Sequence, residues 1–107
     1  MEVTELKTDV IVDTNVSVRK LVVEVFGRVQ GVGYRYFVRT AANRLGVTGW
    51  VRNDRDGSVR VEAEGSELRL NQLLEAMRHG PSLASVHDVR CDWQDARGAD
   101  SEFTIRT

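Results

Sequence analysis

Apolar residues at every second position mark the strands that this sequence predicts. The first strand begins at Lys20, where Leu21, Val23 and Val25 form one strongly apolar face. Further strands are predicted over residues 47–53, 58–64 and 89–93 and, as a short last strand, around Phe103 and Ile105. The turn-forming residues 54–57 (DRDG) join the second and third strands into a hairpin.

Two stretches have apolar residues at the spacing of a helix instead. Tyr34, Phe37, Val38, Ala41 and Leu45 form one stripe, and Gly46 fits the end of this first helix. The second helix is predicted to begin after the N-cap candidate Ser66 and to end at Gly80-Pro81. Its buried face consists of Leu70, Leu73, Leu74 and Met77.

The order β-α-β-β-α-β, followed by a short fifth strand, predicts an α+β fold. It is the ferredoxin-like split βαβ arrangement, in which two helices cover one face of an antiparallel sheet. The first two strands then run in the same direction, because the first helix returns the chain between them. We therefore expect the loop after the first strand and the end of the second to lie at the same edge, which brings Arg35 and Asn53 to one side of the molecule.

Composition and net charge limit the kinds of protein that fit this sequence. A chain of 107 residues with 41% hydrophobic and 29% charged residues is typical of one soluble globular domain. The net charge is -1, so no overall field would attract the protein to nucleic acid or to an anionic membrane. Any anion site must therefore be local.

Residues 1–18 differ from the rest of the chain. They carry four acidic side chains and lack a sustained period, which predicts a flexible extension before a domain over residues 19–107. The short apolar run at residues 10–12 is the one candidate there for an added edge strand. The extension is acidic where a signal peptide is basic and then apolar, and no apolar run approaches the length of a membrane helix.

The single cysteine, Cys91, excludes an internal disulfide and favours a reducing compartment, so we expect a cytoplasmic protein. Together with His79 and His87 it shows no zinc-ligand spacing.

The stretch GRVQGVGYR, from Gly27 to Arg35, stands between the first strand and the first helix. Glycines let successive backbone N–H groups turn inward, and a helix start adds unpaired N–H groups with a partial positive charge. Arg35 can add a planar fork of donors to two phosphate oxygen atoms. The stretch therefore fits a phosphate cradle, although a tight turn with a solvated arginine explains the same residues.

Known nucleotide fingerprints do not fit this loop. Tyr36 stands where the dinucleotide pattern needs a third small residue after Gly31 and Gly33, and no Gly-Lys-Ser/Thr follows. Asn53 is likewise open to two interpretations, because asparagine is a common turn former and a turn follows it directly.

GRVQGVGYR, followed by LGVTGWVRN, DGSV and a late FTIR, resembles the acylphosphatase family from about Lys20 to the C-terminus. The resemblance implies metal-free hydrolysis of acyl phosphates to a carboxylate and inorganic phosphate, with no cofactor. It also implies that Arg35 and the loop amides bind the phosphate and that Asn53 positions the attacking water. The loop amides are those of Val29, Gln30, Gly31, Val32, Gly33 and Tyr34.

The chemistry of an acyl phosphate agrees with that assignment. Its leaving group is a carboxylate with a conjugate-acid pKa of about 4, so it departs without a proton donor. Fixed N–H donors and a guanidinium stabilise the charge on the transferring phosphoryl group. Asn53 can orient a water but is too weak to deprotonate it, so we expect a phosphate oxygen of the substrate to take the proton.

The sequence departs from the family at a few positions. Tyr34 replaces the usual phenylalanine, and the chain ends at Thr107 where the family often ends in tyrosine. Neither change removes Arg35 or Asn53.

Other functions of the same fold are the alternatives. RNA-recognition modules stack bases on aromatic residues of the third strand, whereas residues 58–64 here contain no aromatic residue and two acidic ones. A noncatalytic phosphate-binding or regulatory module remains open, as does a domain of a larger carbamoyl-transfer protein, in which proline stands at the position of Tyr36. The preferred prediction is a monomeric enzyme whose partner is a small acyl phosphate, with no nucleic acid and no membrane.

Overall fold

A computed structural model describes residues 17–107, so the predicted extension and its candidate strand at residues 10–12 lie outside the described residues apart from residues 17 and 18. The strands are β1 (Val18–Arg28), β2 (Thr48–Asn53), β3 (Val59–Ser66), β4 (Ser85–Asp95) and β5 (Phe103–Arg106). The helices are α1 (Tyr34–Leu45) and α2 (Glu67–His79). All seven predicted elements are confirmed in type and order.

The five strands form one sheet in the order β4-β1-β3-β2-β5. Both β1 and β2 pair antiparallel with β3, so they run in the same direction on either side of it, as predicted. The loop after β1 and the end of β2 therefore lie at the same end of the sheet. This placement brings the glycine-rich loop to the end of the β2–β3 hairpin.

The predicted fold is confirmed, but the sheet is not antiparallel throughout as expected, because β5 pairs parallel with β2 at one edge. β4 runs antiparallel to β1 at the opposite edge, and Asp95 at its end is level with Arg19 at the start of β1. The chain then crosses that end of the sheet and runs back beside β2. Since the crossing reverses its direction, β5 has the direction of β1 and β2.

Glu64 holds the crossing segment in place. Its carboxylate accepts hydrogen bonds from the backbone N–H groups of Arg97 at 2.8 Å and Gly98 at 2.9 Å. The segment thereby delivers β5 to its position at the edge, where β5 contributes to the site described below.

Both helices cover one face of the sheet: α1 packs on β2 and β5, and α2 packs on β1 and β3. The alternating residues of β1 and the helical stripes meet there in a buried core. Its largest fully buried side chains are Tyr34, Leu21, Leu70, Leu73 and Met77. Two predicted helix boundaries are confirmed: Gly46 has a left-handed conformation at the end of α1, and Ser66 is the N-cap at the start of α2.

The other face of the sheet has no helix on it among residues 17–107 and is protected by charged side chains. Trp50 is buried beneath the guanidinium groups of Arg52 and Arg106, which lie 4.9 and 4.4 Å from its ring centroid. Next to it, the carboxylate of Glu62 forms ion pairs with Lys20 at 2.7 Å and Arg60 at 2.9 Å. Burial by itself raises the pKa of Glu62, but the hydrogen bonds and charges of Lys20 and Arg60 outweigh burial and hold that pKa below its ordinary value.

The cysteine lies on the edge strand β4, which the helices cover only in part. Cys91 is an exposed free thiol although it alternates with the half-buried Val89 and Trp93. Among the described residues, no helix is long and apolar enough to span a membrane.

Candidate active site

The glycine-rich loop closes the end of β1 and leads directly into α1. Gly27 begins it at a β-bulge, where a side chain would meet the carbonyl oxygen of Ser85 on the neighbouring strand. Gly31 and Gly33 have φ values of 74° and 78°, which L-residues with side chains rarely adopt. Apart from the glycine itself and its two chain neighbours, no described atom would lie within 4 Å of a Cβ atom at either position. These two glycines are therefore required for the backbone path and border open space.

Gly33 is also the N-cap of α1, and no side chain caps this helix. Its carbonyl accepts the first helical hydrogen bond, from the N–H of Phe37 at 3.0 Å. The N–H groups of the first turn precede that bond and have no intrahelical partner, and no acidic residue lies in the turn. The start of α1 thus offers N–H donors and a positive dipole end to an anion.

Most of the predicted site residues line one cavity of about 250 Å³. It is lined by Val29, Gly31, Gly33, Tyr34, Arg35, Tyr36, Asn53 and Ile105. Arg35 and Asn53 therefore border the same space although they belong to different elements. Gln30 and Val32 belong to the same loop but do not line this cavity.

Arg35 is held by the last strand. One of its guanidinium nitrogens, Nη1, donates a hydrogen bond of 3.2 Å to the backbone carbonyl of Arg106. Arginine has five N–H donors in a planar fork, and this contact uses one of them. Among residues 17–107, no side-chain acceptor is bonded to the others, which leaves them able to bind oxygen atoms of a ligand.

One side-chain atom of Asn53 is unusual. Its Oδ1 is buried and is the one buried side-chain oxygen or nitrogen among the described residues that has no hydrogen-bond partner in the protein. Leaving such an acceptor unpaired carries a desolvation penalty of about 1–3 kcal/mol. A water molecule or a ligand donor at this position would remove the penalty.

Gln30 ties the loop to the hairpin that follows Asn53. Its side-chain amide donates hydrogen bonds of 2.8 Å to the carbonyl oxygens of both Asp54 and Ser58. No pattern in the sequence indicated this role, since Gln30 was predicted only for its backbone amide.

Tyr34 anchors the start of α1 in the core. Its hydroxyl donates a hydrogen bond of 2.7 Å to the carbonyl of Met77 in the last turn of α2. Burial raises the pKa of the Tyr34 phenol well above its ordinary value, so the group is a neutral donor at physiological pH. The Tyr34 hydroxyl thus joins the two helices.

Tyr36 and Ile105 line the cavity but were not predicted as site residues. Tyr36 directly follows Arg35 in the first turn of α1, and its position in the sequence could have indicated it. Ile105 lines the cavity because β5 lies beside β2. The sequence predicted the strand but not its position in the sheet. No carboxylate, histidine or thiol lines the cavity in the part of the chain that the structure describes. Across the same residues, no three acidic, histidine or cysteine side chains come together to hold a metal ion.

Comparison with known proteins agrees with this geometry. The Acylphosphatase family profile matches residues 21–105. An acylphosphatase of Salinibacter ruber is 51% identical over 88 residues, which are 82% of this chain and 93% of that protein. An acylphosphatase of Mesorhizobium japonicum is 42% identical over 87 residues, or 81% of this chain and 93% of that protein.

Solved structures share the fold. The crystal structure of acylphosphatase from Bacillus subtilis superposes with a TM-score of 0.81 at 36% identity, covering 83% of this chain and 99% of that one. Full-length HypF, in its phosphate- and nucleotide-bound form, gives 0.78 at 25% identity, but only 12% of that chain is covered. The three acylphosphatases named here match over nearly their whole length, and this chain belongs to the acylphosphatase family.

Proposed function

We propose that this protein hydrolyses small acyl phosphates in the cavity between the glycine-rich loop and Asn53, without a metal ion. One observation carries the proposal. Asn53, whose Oδ1 has no hydrogen-bond partner among the described residues, borders the same cavity as Arg35 and the loop glycines. The residue that carries this acceptor and the set of anion donors thus border one cavity.

Phosphate binding falls to the loop and to Arg35. In this proposal the backbone N–H groups of residues 29–34 and the guanidinium of Arg35 bind the phosphoryl oxygens. Such donors stabilise the charge that spreads over these oxygens in the transition state. The contact of Arg35 with the carbonyl of Arg106 restricts the guanidinium before the substrate binds, which reduces the entropy lost on binding.

Asn53 orients the attacking water in this proposal. Its Oδ1 accepts a hydrogen bond from a water, whose oxygen attacks phosphorus opposite the acyl oxygen. The bond between phosphorus and the acyl oxygen breaks, and the carboxylate leaves with the electron pair. The proton of the water passes to a phosphoryl oxygen of the substrate, since no carboxylate or histidine of the described chain lines the cavity to accept it.

The assignment of roles is tested by separating binding from turnover. We expect Arg35→Ala to weaken binding of inorganic phosphate by about tenfold or more, because a charge-assisted bidentate contact is lost. We expect Asn53→Ala to bind phosphate within about twofold of wild type and to lose about a hundredfold in kcat. Calorimetric titration with phosphate gives the affinities, and steady-state hydrolysis gives kcat.

Arg44→Ala is the matched control, because Arg44 is an exposed arginine in the last turn of the same helix. It should leave both quantities unchanged. Equal phosphate affinity in wild type and Arg35→Ala would contradict the proposed cradle.

The proposal includes a monomeric enzyme in the cytoplasm. The exposed free thiol of Cys91 fits a reducing compartment. Sedimentation equilibrium over a range of concentrations should give the mass of one chain, and a mass twice as large would contradict the monomer.

A further inference from the structure

We infer that Tyr36 and Ile105 form a binding wall for the acyl end of the substrate and favour flat apolar acyl groups such as benzoyl over acetyl. This inference rests on the proposed function, because it takes the phosphate to lie against the glycine-rich loop. It assigns a specificity role to two residues outside the phosphate and water positions.

The cavity is larger than a phosphate site alone needs. Its volume of about 250 Å³ approaches the lower end of ligand pockets, which begin at about 300 Å³. Gly31, Gly33, Arg35 and Asn53 account for its polar part. A phosphate bound there must direct its acyl substituent towards the remaining lining.

That remaining lining is apolar, and two of its side chains are accessible. Val29 and Tyr34 are each only 1% exposed and belong to the core. Tyr36 is 65% exposed and Ile105 is half-buried, so these two can contact a ligand.

Tyr36 is distinguished from other exposed apolar residues by its position. Among the described residues, the large apolar side chains that are exposed are Val18, Tyr36, Leu68 and Leu83, and of these Tyr36 alone lines the cavity. The guanidinium of Arg39, one helical turn further on, lies 4.6 Å from the Tyr36 ring centroid. This cation–π contact favours one ring orientation and so reduces the entropy lost when a ligand packs against the ring.

Flat acyl groups gain most from such a wall. An aromatic acyl group can stack on or against the edge of the tyrosine ring, whereas an acetyl group offers little area for contact. The two ligands present the same phosphate end to the loop. The difference between their affinities therefore measures contact with Tyr36 and Ile105 and not phosphate binding by the glycine-rich loop.

The test is the binding of benzoylphosphonate and acetylphosphonate, two acyl phosphate analogues that cannot be hydrolysed at phosphorus. We expect Tyr36→Ala to weaken benzoylphosphonate binding by roughly five- to tenfold, in the upper part of the range for loss of an aromatic pair, and acetylphosphonate by less than about twofold. Tyr36→Phe should keep the wild-type preference, since the ring is retained. Ile105→Ala should lower the same ratio less, because the isoleucine has no aromatic face.

Leu83→Ala is the control, because Leu83 is 70% exposed and does not line the cavity. It should not change the ratio of the two affinities. An unchanged ratio in Tyr36→Ala, or an equal loss for both analogues, would overturn the inference. Because binding is measured without turnover, a protein that shows the predicted ratio but hydrolyses neither benzoyl nor acetyl phosphate would contradict the proposed function and support the wall.

Discussion

The side-chain nitrogen of Gln30 lies 2.8 Å from the carbonyl oxygen of Asp54, the residue that follows Asn53. A second hydrogen bond of the same length joins that nitrogen to the carbonyl of Ser58. Both carbonyls belong to the β2–β3 turn, where Asp54 and Ser58 also bond to each other. One side chain therefore fixes the glycine-rich loop against the turn next to Asn53.

Replacing Gln30 with leucine should loosen this connection. Two hydrogen bonds are lost, so we expect a decrease of about 1–3 kcal/mol in the free energy of unfolding. Because the loop and Asn53 then lose their fixed separation, kcat/KM should fall by roughly tenfold or more. Urea unfolding and steady-state hydrolysis measure the two effects.

Gln72→Leu is the matched control, because Gln72 is exposed on α2 away from the cavity. Wild-type activity in Gln30→Leu would show that the loop holds its position without this side chain.

Substitution of the two glycines that flank α1 distinguishes the effect of backbone strain on stability from an effect on phosphate binding. Gly33 and Gly46 have φ values of 78° and 70°, and beyond its neighbours in the chain neither has a described atom within 4 Å of an added Cβ. Alanine at either position should reduce the free energy of unfolding by about 1–2 kcal/mol through the left-handed conformation. We expect only Gly33→Ala to weaken phosphate binding, because only Gly33 lines the cavity. Similar phosphate affinities in the two variants would argue against a role for the loop conformation.

Tyr34→Phe removes the hydroxyl that joins the helices. The carbonyl of Met77 is then buried without this donor, so the free energy of unfolding should decrease by about 1–3 kcal/mol. The ring that packs in the core is retained, and kcat should stay within about twofold of wild type. Thermal or urea unfolding measures the change in stability, and steady-state hydrolysis measures kcat. A large loss of activity without a loss of stability would contradict this prediction.

The ion pairs of Glu62 predict a decrease in stability with acid. Its pKa is lowered in the folded state, so it stabilises the fold above its unfolded pKa of about 4.3. This contribution is lost as the pH falls through the lower folded value, because the protonated carboxyl no longer attracts Lys20 and Arg60. Unfolding free energies of wild type and Glu62→Gln should therefore converge as the pH falls from 7 to 3. A difference that does not change with pH would contradict this account.

Local patterns in the sequence were sufficient for the elements, whereas the choice of Arg35 and Asn53 as candidate site residues depended on the resemblance to the acylphosphatase family. The alternation in β1 and the stripe in α1 are strong signals, and the connection of β1, α1 and β2 predicts that Arg35 and Asn53 share one side of the molecule. The direction of β5 could not be predicted in this way, since it depends on a crossing between opposite edges of the sheet.

The same limit explains the missed residues. Ile105 reaches the cavity only because β5 lies beside β2, and the Gln30 side chain acts across 24 residues of sequence on Asp54. Such contacts depend on tertiary structure. A periodic pattern carries no information about them.

The most direct test of the central claim is hydrolysis of benzoyl phosphate by the purified protein in excess chelator, with Asn53→Ala measured in parallel. We predict turnover that the chelator does not change and that the substitution reduces by about a hundredfold. Turnover that is lost with the chelator, or that survives unchanged in Asn53→Ala, would contradict a metal-independent reaction at this site.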